Sequence, residues 1–282
     1  DHFTPREVIR LMANLLFIHD DKLLTTAGTV RKLLDPACGT GGMLAEAQRY
    51  LREHNTEAQL YAYGQDYNKR AFATAASDML MKEVSHNGGG DNVRFGDIFT
   101  EDQFPSETFD YFLSNPPFGV PWGGKDGYEK EARKLAKTRY QAGMPRVNDG
   151  ALLFLQTMLA KMAPPETGGS RIAVIFNGSP LSNGDCGSGE SEIRRWILEN
   201  DWLDAIVMLP DQLFYNTGIF TYVWLLRNDK PASHYGRVML IDARQQFEKE
   251  PKSFGNKRHR ITDAHRAWIE ERYRDGWAKG YA

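Results

Sequence analysis

At 282 residues, 41% apolar and 26% charged, the chain suits one large α/β domain or two small ones and can bury a real core. Its formal charge of −2 argues against a stand-alone, strongly electrostatic nucleic-acid binder, while leaving room for a local basic cleft. Two cysteines, Cys38 and Cys186, exclude a disulfide framework and favour a reducing, cytoplasmic setting. No stretch approaches membrane-spanning length, and the seven histidines lack metal-ligand spacing, so neither membrane nor metal is expected.

The first residues, "DHFTPREVIR", lack a signal-peptide pattern, lack Met and begin almost inside a helix. The chain is therefore expected to be a piece of a longer protein. In "FTPREVIRLMANLL", Thr4 reads as N-cap, Pro5 as first helical residue and Glu7 as its capping-box partner. Val8, Ile9, Leu11, Met12, Leu15 and Leu16 then form one apolar face. "VRKLLDPA" is a strand running into a glycine-rich turn, and "GGMLAEAQRYLREH" the helix that follows. "AQLYAYGQD" is a second strand, with a helix from about Asn68 to Glu83. "GGGDNVRFGDIF" holds a linker and a third strand, and "TFDYFLSN" a fourth. Residues 120–148 show no clear core periodicity. "DGALLFLQTMLAKMA" is a helix, "GSRIAVIF" a strand, "GESEIRRWILEN" a helix, and "LDAIVMLP" and "IFTYVWLLRN" two more strands; "GRVMLIDA" is a candidate further strand. From Gln245 the pattern fades into a basic, mainly helical tail. Alternation at this spacing means a doubly wound, mostly parallel sheet.

Acids and glycines gather at the predicted strand ends. Gly39, Gly41 and Gly42 open a helix directly after the first strand, where backbone N–H groups lie free for a ligand. Asp35, just before the turn, would repel a pyrophosphate and welcome a cationic or hydroxyl-rich ligand. Asp66 suits ribose hydroxyls, or equally a helix cap. Asp97 suits an adenine amino group, and alone is read as well as a turn acid. The three converge on the carboxyl edge of the sheet, where open α/β sheets bind ligands, and describe a pocket for an adenosine with a cationic substituent.

The fourth strand leaves through "SNPPFG". The Asn115 side-chain oxygen and Pro116 carbonyl can each accept one N–H of an exocyclic amine, which directs its lone pair at an electrophile. Pro116 and Pro117 hold those acceptors rigidly, so little reorganisation accompanies reaction. Phe118 reads as an exposed ring on which a flat base can stack, worth on the order of 1–3 kcal/mol. A strand-ending turn with an anchoring Phe is the plainer reading.

In their order, "FTPREVIRLM", "LLDPACGTGGML", "YGQD", "GDIF", "LSNPPFG", "DGALLFLQTML", "GSRIAVIFNGSPL" and "MLPDQLFYNTGIF" resemble the motifs of N6-adenine DNA methyltransferases, and more closely the modification subunit of type I restriction–modification systems. The resemblance runs from Phe3 to about Leu226. It implies a seven-stranded sheet of the S-adenosylmethionine-dependent methyltransferase type, an N-terminal helix within residues 1–24, a catalytic domain over 1–244 and a helical tail over 245–282. It implies S-adenosylmethionine as methyl donor, held by Phe3, Thr4, Pro5 and Arg6 at the methionine end, by Asp35, Ala37, Gly39, Thr40, Gly41 and Gly42 at the turn, by Asp66 at the ribose, and by Asp97 and Ile98 at the adenine. Asn115, Pro116, Pro117 and Phe118 carry the catalytic motif over to this chain. Phe214 or Tyr215 is implied as a second aromatic on the flipped base, Phe214 being nearly as well read as a core anchor.

The implied partners are double-stranded DNA, a specificity subunit, a second modification subunit and a restriction subunit. Departures from the family pattern are Asp66 where Glu is frequent, Phe220 where Pro is common, and the lack of a preceding helical part or a recognition domain. Methylation of protein glutamine or RNA adenine, an oxidoreductase, and an inactive cofactor-binding scaffold remain the alternatives. Of the two basic stretches, residues 125–141 read first as a solvated helix and second as a cover over DNA. The tail reads as a partner-binding or surface helix.

Overall fold

The computed structural model describes residues 3–83, 92–124 and 127–279. Helix α1 (Arg6–Phe17) leads through a short α2 (Asp21–Thr25) to β1 (Val30–Asp35), α3 (Gly42–His54), β2 (Gln59–Asp66), α4 (Lys69–Glu83), β3 (Val93–Phe95) and β4 (Tyr111–Ser114). There follow α5 (Glu129–Lys134), α6 (Ala151–Ala160), β5 (Arg171–Phe176), α7 (Ser179–Ser182), α8 (Gly189–Glu199), β6 (Leu203–Met208), β7 (Tyr222–Arg227) and β8 (Met239–Asp242). The chain then forms β9 (Glu248–Phe254), β10 (Lys257–Arg260) and α9 (Asp263–Lys279). The glycine linker at 88–91 lies outside the described residues, as do Lys125 and Asp126.

The main sheet has the order β3-β2-β1-β4-β5-β7-β6-β8. β1 to β5 run parallel, β7 is antiparallel to both of its neighbours, and β8 pairs parallel with β6. "GRVMLIDA" thus adds an eighth strand to the expected seven. Strand order reverses between β1 and β4, so these two ends flank the cleft where a doubly wound sheet can receive a ligand.

Period-two alternation distributes the strand residues to two cores. Leu33, Tyr111, Leu113, Ala173, Ile175, Val207 and Val223 face α1, α3, α4 and α9. Leu34, Phe112, Val174, Phe176, Ile206 and Trp224 face α6 and α8 on the opposite side. Strands buried on both faces read as continuous apolar runs, as "RIAVIF" and "YVWLLR" do. The result is three layers, helix–sheet–helix.

Three expectations change. The capping box is absent: α1 starts at Arg6 with Pro5 as its N-cap residue, no side chain caps it, and the Thr4 hydroxyl bonds elsewhere. Residues 120–148 have a core of their own, in which Trp122, Ala132 and Tyr140 are buried with Ile98, Phe99 and Leu153. The expected solvated helix there is the six-residue α5, and its neighbours wrap Trp122, whose Nε1 donates to Arg146 O at 2.8 Å. Aperiodic spacing hides such a core because its residues come from turns rather than one helix face. Finally, the start of the tail is an antiparallel hairpin, β9–β10, and only α9 is helical. That helix packs on α1 and β8 with Ile269 and Tyr273 buried, as part of the main core.

Candidate active site

A cavity of about 1520 Å³ opens at the carboxyl edge of the sheet over the β1–β4 switch. The turn after β1 is shaped by Gly39 (φ +53°) and Gly41 (φ +83°), a backbone region that favours glycine. Gly41 is the N-cap of α3, so the first N–H groups of that helix stand beside the cavity wall formed by Gly39, Thr40 and Gly42. A Cβ on Gly39 would meet nothing, leaving that side of the turn open for a ligand to approach.

Asp66, the last residue of β2, ties the turn in place. Its Oδ2 accepts from Gly39 N and its Oδ1 from Asn68 N, both at 2.8 Å. Helix α4 is capped instead by Asn68, whose Oδ1 accepts from Arg70 N and Ala71 N. Asp66 is therefore not the helix cap, and it lines the cavity.

Asp35 is 1% exposed and bridges the switch point. Its Oδ1 accepts from Ser114 Oγ on β4 at 2.7 Å and from Ala37 N at 3.1 Å. Burial pushes its carboxyl up to about 7, a rise that those two donors and the nearby Asp66 charge only modify. Asp97 sits two residues beyond β3, where its Oδ1 closes a turn by accepting from Phe99 N at 2.8 Å. Burial raises its carboxyl above the usual range as well, partly offset by that bond.

At the end of β4, Asn115 turns its amide with the help of Thr4: Nδ2 donates to Thr4 Oγ1 at 2.8 Å. Its Oδ1 is buried and has no hydrogen-bond partner among the described residues. An orphaned buried acceptor of this kind costs about 1–3 kcal/mol, a penalty that a ligand N–H would remove. Thr4 lies 111 residues earlier in the chain, so this contact joins the entry to α1 with the end of β4.

Of the sequence candidates, Phe3, Thr4, Arg6, Asp35, Ala37, Gly39, Thr40, Gly42, Asp66, Asp97, Ile98, Asn115 and Pro117 line the cavity together. Pro5, Gly41, Pro116, Phe118 and Phe214 do not, although Pro5 and Gly41 start the helices that shape it. Phe118 is half-buried, not exposed, and meets Phe214 edge-on with ring centroids 6.3 Å apart. Phe214 is 2% exposed within the main core, whereas neighbouring Tyr215 is 41% exposed. Sequence reading missed Tyr128 and Phe154, which also line the cavity. Phe99 stacks on Tyr128 at 4.2 Å and 4° and meets Phe154 edge-on at 4.5 Å, making a flat aromatic wall beside Asp97. Only the Phe following "GDI" signalled it. Among the described residues no cluster of His, Cys, Asp and Glu could hold a metal ion, and no helix is long and apolar enough to cross a membrane.

A sheet opened between β1 and β4, with β7 inserted antiparallel, is that of the S-adenosylmethionine-dependent methyltransferases. Within them the profile of the N-6 DNA methylases matches residues 1–280, and the chain belongs to that family. It is 29% identical over 256 residues to the methylase subunit of the MjaVII type I restriction enzyme of Methanocaldococcus jannaschii, covering 88% of this chain and 40% of that subunit. Against the HindI methylase subunit of Haemophilus influenzae it is 28% identical over 245 residues, 86% of this chain and 49% of the relative. The crystal structure of a type I restriction–modification methyltransferase subunit from Streptococcus thermophilus superposes with a TM-score of 0.77 at 25% identity, over 97% of this chain and 53% of that one. The chain thus spans about half the length, or less, of the relatives it matches.

Proposed function

We propose that the chain is the catalytic part of a DNA adenine-N6 methyltransferase of the type I modification kind. The observation that carries this reading is Asn115 Oδ1, buried, unpartnered and held at the rim of a cavity suited to an adenosine. That cavity fits S-adenosylmethionine by the chemistry of its donors: two buried acids, a glycine turn at a helix start and a flat aromatic wall.

Asp35 would face the cationic methionine end, Asp66 the ribose, and Asp97 with Ile98 the adenine, stacked near Phe99 and Tyr128. When bound, the cofactor supplies an electrophilic methyl group on a sulfonium sulfur. Asn115 Oδ1 and the Pro116 carbonyl would accept the two N–H bonds of an adenine swung out of the duplex. This withdraws the nitrogen lone pair from the ring and turns it toward the methyl group. Acceptors fixed by two prolines and by Thr4 need no reorganisation at that moment. No strong base is needed beforehand, since the amine becomes acidic only once alkylated. The relatives are subunits of type I restriction enzymes, which supports work alongside a specificity subunit and a second modification subunit. Extruding the base costs a few kcal/mol, which DNA contacts made by such partners would offset.

Calorimetric titration with S-adenosylmethionine tests the pocket. Wild type should bind saturably, Asp66→Ala should abolish binding, and Asn115→Ala should largely keep it while losing methyl transfer to adenine in DNA. Transfer to RNA or protein glutamine instead, or tight cofactor binding with no transfer to any of them beside a specificity partner, would overturn the DNA reading.

A further inference from the structure

The β9–β10 hairpin is the least expected element of the fold. Residues 248–260 carry five Lys and Arg against two Glu, in a chain whose formal charge is −2. Lys249, Lys252 and Arg258 are exposed, and none of them forms an ion pair among the described residues. Phe254 at the tip is 50% exposed.

The hairpin is rigidly seated against the elements of the candidate site. Its one buried cation, Lys257, is 3% exposed and donates to Glu7 Oε1 at 2.5 Å, to Leu213 O at 3.2 Å and to His259 O at 2.7 Å. It therefore joins α1, whose preceding Thr4 orients Asn115, to the β6–β7 loop that holds Phe214 and Tyr215. At the tip, Asn256 N donates to Tyr215 O at 3.0 Å, and a Cβ on Gly255 would come within 2.6 Å of the same oxygen. Next to this junction Tyr215, Ile219 and Phe220 on the loop are exposed.

We propose that this hairpin is a nucleic-acid contact surface, on which Lys249, Lys252 and Arg258 meet the phosphates of the DNA strand that delivers its base to the cavity. The inference rests on the adenine methyltransferase reading of that cavity. Unpaired cations on a rigid two-stranded element, with an exposed ring among them, match the two demands of a strand: backbone charge and a base face. The remaining basic segment also exposes Lys130, Lys134 and Lys137, but its Arg133 is paired with Glu129 and Arg139 with Asp102, and its described residues offer no exposed ring beside the lysines.

The test is fluorescence anisotropy of a labelled adenine-containing duplex at several low salt concentrations. It compares the wild-type chain, Lys249→Gln/Lys252→Gln/Arg258→Gln, and the charge-matched control Lys130→Gln/Lys134→Gln/Lys137→Gln. Each phosphate that is no longer neutralised should flatten the plot of log affinity against log salt by about 0.9, so the slope of the hairpin variant should be shallower by about 2.7, with affinity down about tenfold or more at low salt. The control should track the wild type. An unchanged slope in the hairpin variant, a flattening confined to the control, or no salt-dependent binding by the wild type would each overturn the proposal, including in favour of a protein partner. Cofactor titration of the same variants separates the two readings. Absence of the hairpin effect with cofactor binding and methyl transfer intact sinks only the hairpin, while a full salt response without methyl transfer sinks only the function.

Discussion

Asp35 is where the chain holds a cost that a ligand can relieve. Its folded carboxyl titrates at about 7 against an ordinary 3.8, because burial disfavours the charge. A group whose folded value is raised contributes stability that is full below the ordinary value and lost as pH rises through the folded one. The ligand-free protein should therefore lose stability between about pH 4 and pH 7 on account of this residue. Both of its donors, Ser114 Oγ and Ala37 N, fall on Oδ1, so an amide oxygen could keep both. Asp35→Asn is expected to raise the thermal midpoint of the ligand-free protein at pH 8 and to remove that loss. The same change should weaken binding of S-adenosylmethionine. In the wild type, affinity should climb from pH 6 to 7.5 as the carboxylate forms opposite a cation; in the variant it should stay flat. Calorimetry across that range decides it, and a variant with undiminished affinity would separate Asp35 from the cationic end.

Among the elements, three of the strands that bring an acid or an amide to the cavity were legible because their runs stop at a polar residue: "KLLD", "YGQD" and "YFLSN" end in side chains that line it. The glycine turn was legible for a related reason, since positive φ at both Gly39 and Gly41 leaves few residue choices. What stayed hidden depended on contacts far apart in sequence. Thr4 looked like a cap because the local pattern allows it, and only the fold carries it to Asn115. Trp122 and Tyr140 stand in a turn-rich segment with no period, and "EKEPKSFGNKRHR" is too charged to signal strands until Gly255 turns it back. That glycine has φ +63° and no room for a side chain against Tyr215 O. Gly255→Ala should part the hairpin tip from the β6–β7 loop. Cofactor affinity should be unchanged, hydrogen exchange at the Asn256 amide should speed up, and methyl transfer should fall mainly through a higher KM for DNA. An Asn256 amide as protected as in the wild type would show that the tip does not depend on this approach.

At the scale of the whole molecule, the last helix closes the structure. α9 lies on the same side of the sheet as α1, and polar contacts lock it there: Asn14 Nδ2 donates to Glu270 Oε1 at 2.6 Å, and His19 Nε2 meets Tyr273 O at 3.1 Å. The deepest of these contacts is the Tyr273 hydroxyl, which donates to Asp204 Oδ2 at 2.7 Å inside the core. Asp204 is fully buried on β6, and among the described residues its Oδ1 has no hydrogen-bond partner, with His234 Nδ1 at 3.6 Å. Among the described residues the carboxyl therefore takes its one hydrogen bond from α9. Residues 263–279 thus pack into the same core as the sheet, through Ile269 and Tyr273 one helical turn apart. Tyr273→Phe keeps the ring and removes only the donor, leaving a buried carboxylate unserved, at a cost of about 1–3 kcal/mol. In urea the midpoint should fall with little change in slope, because the surface exposed on unfolding stays the same. A hydroxyl that merely filled space would leave the midpoint where it is, and the helix would then be held by Ile269 and its apolar neighbours alone.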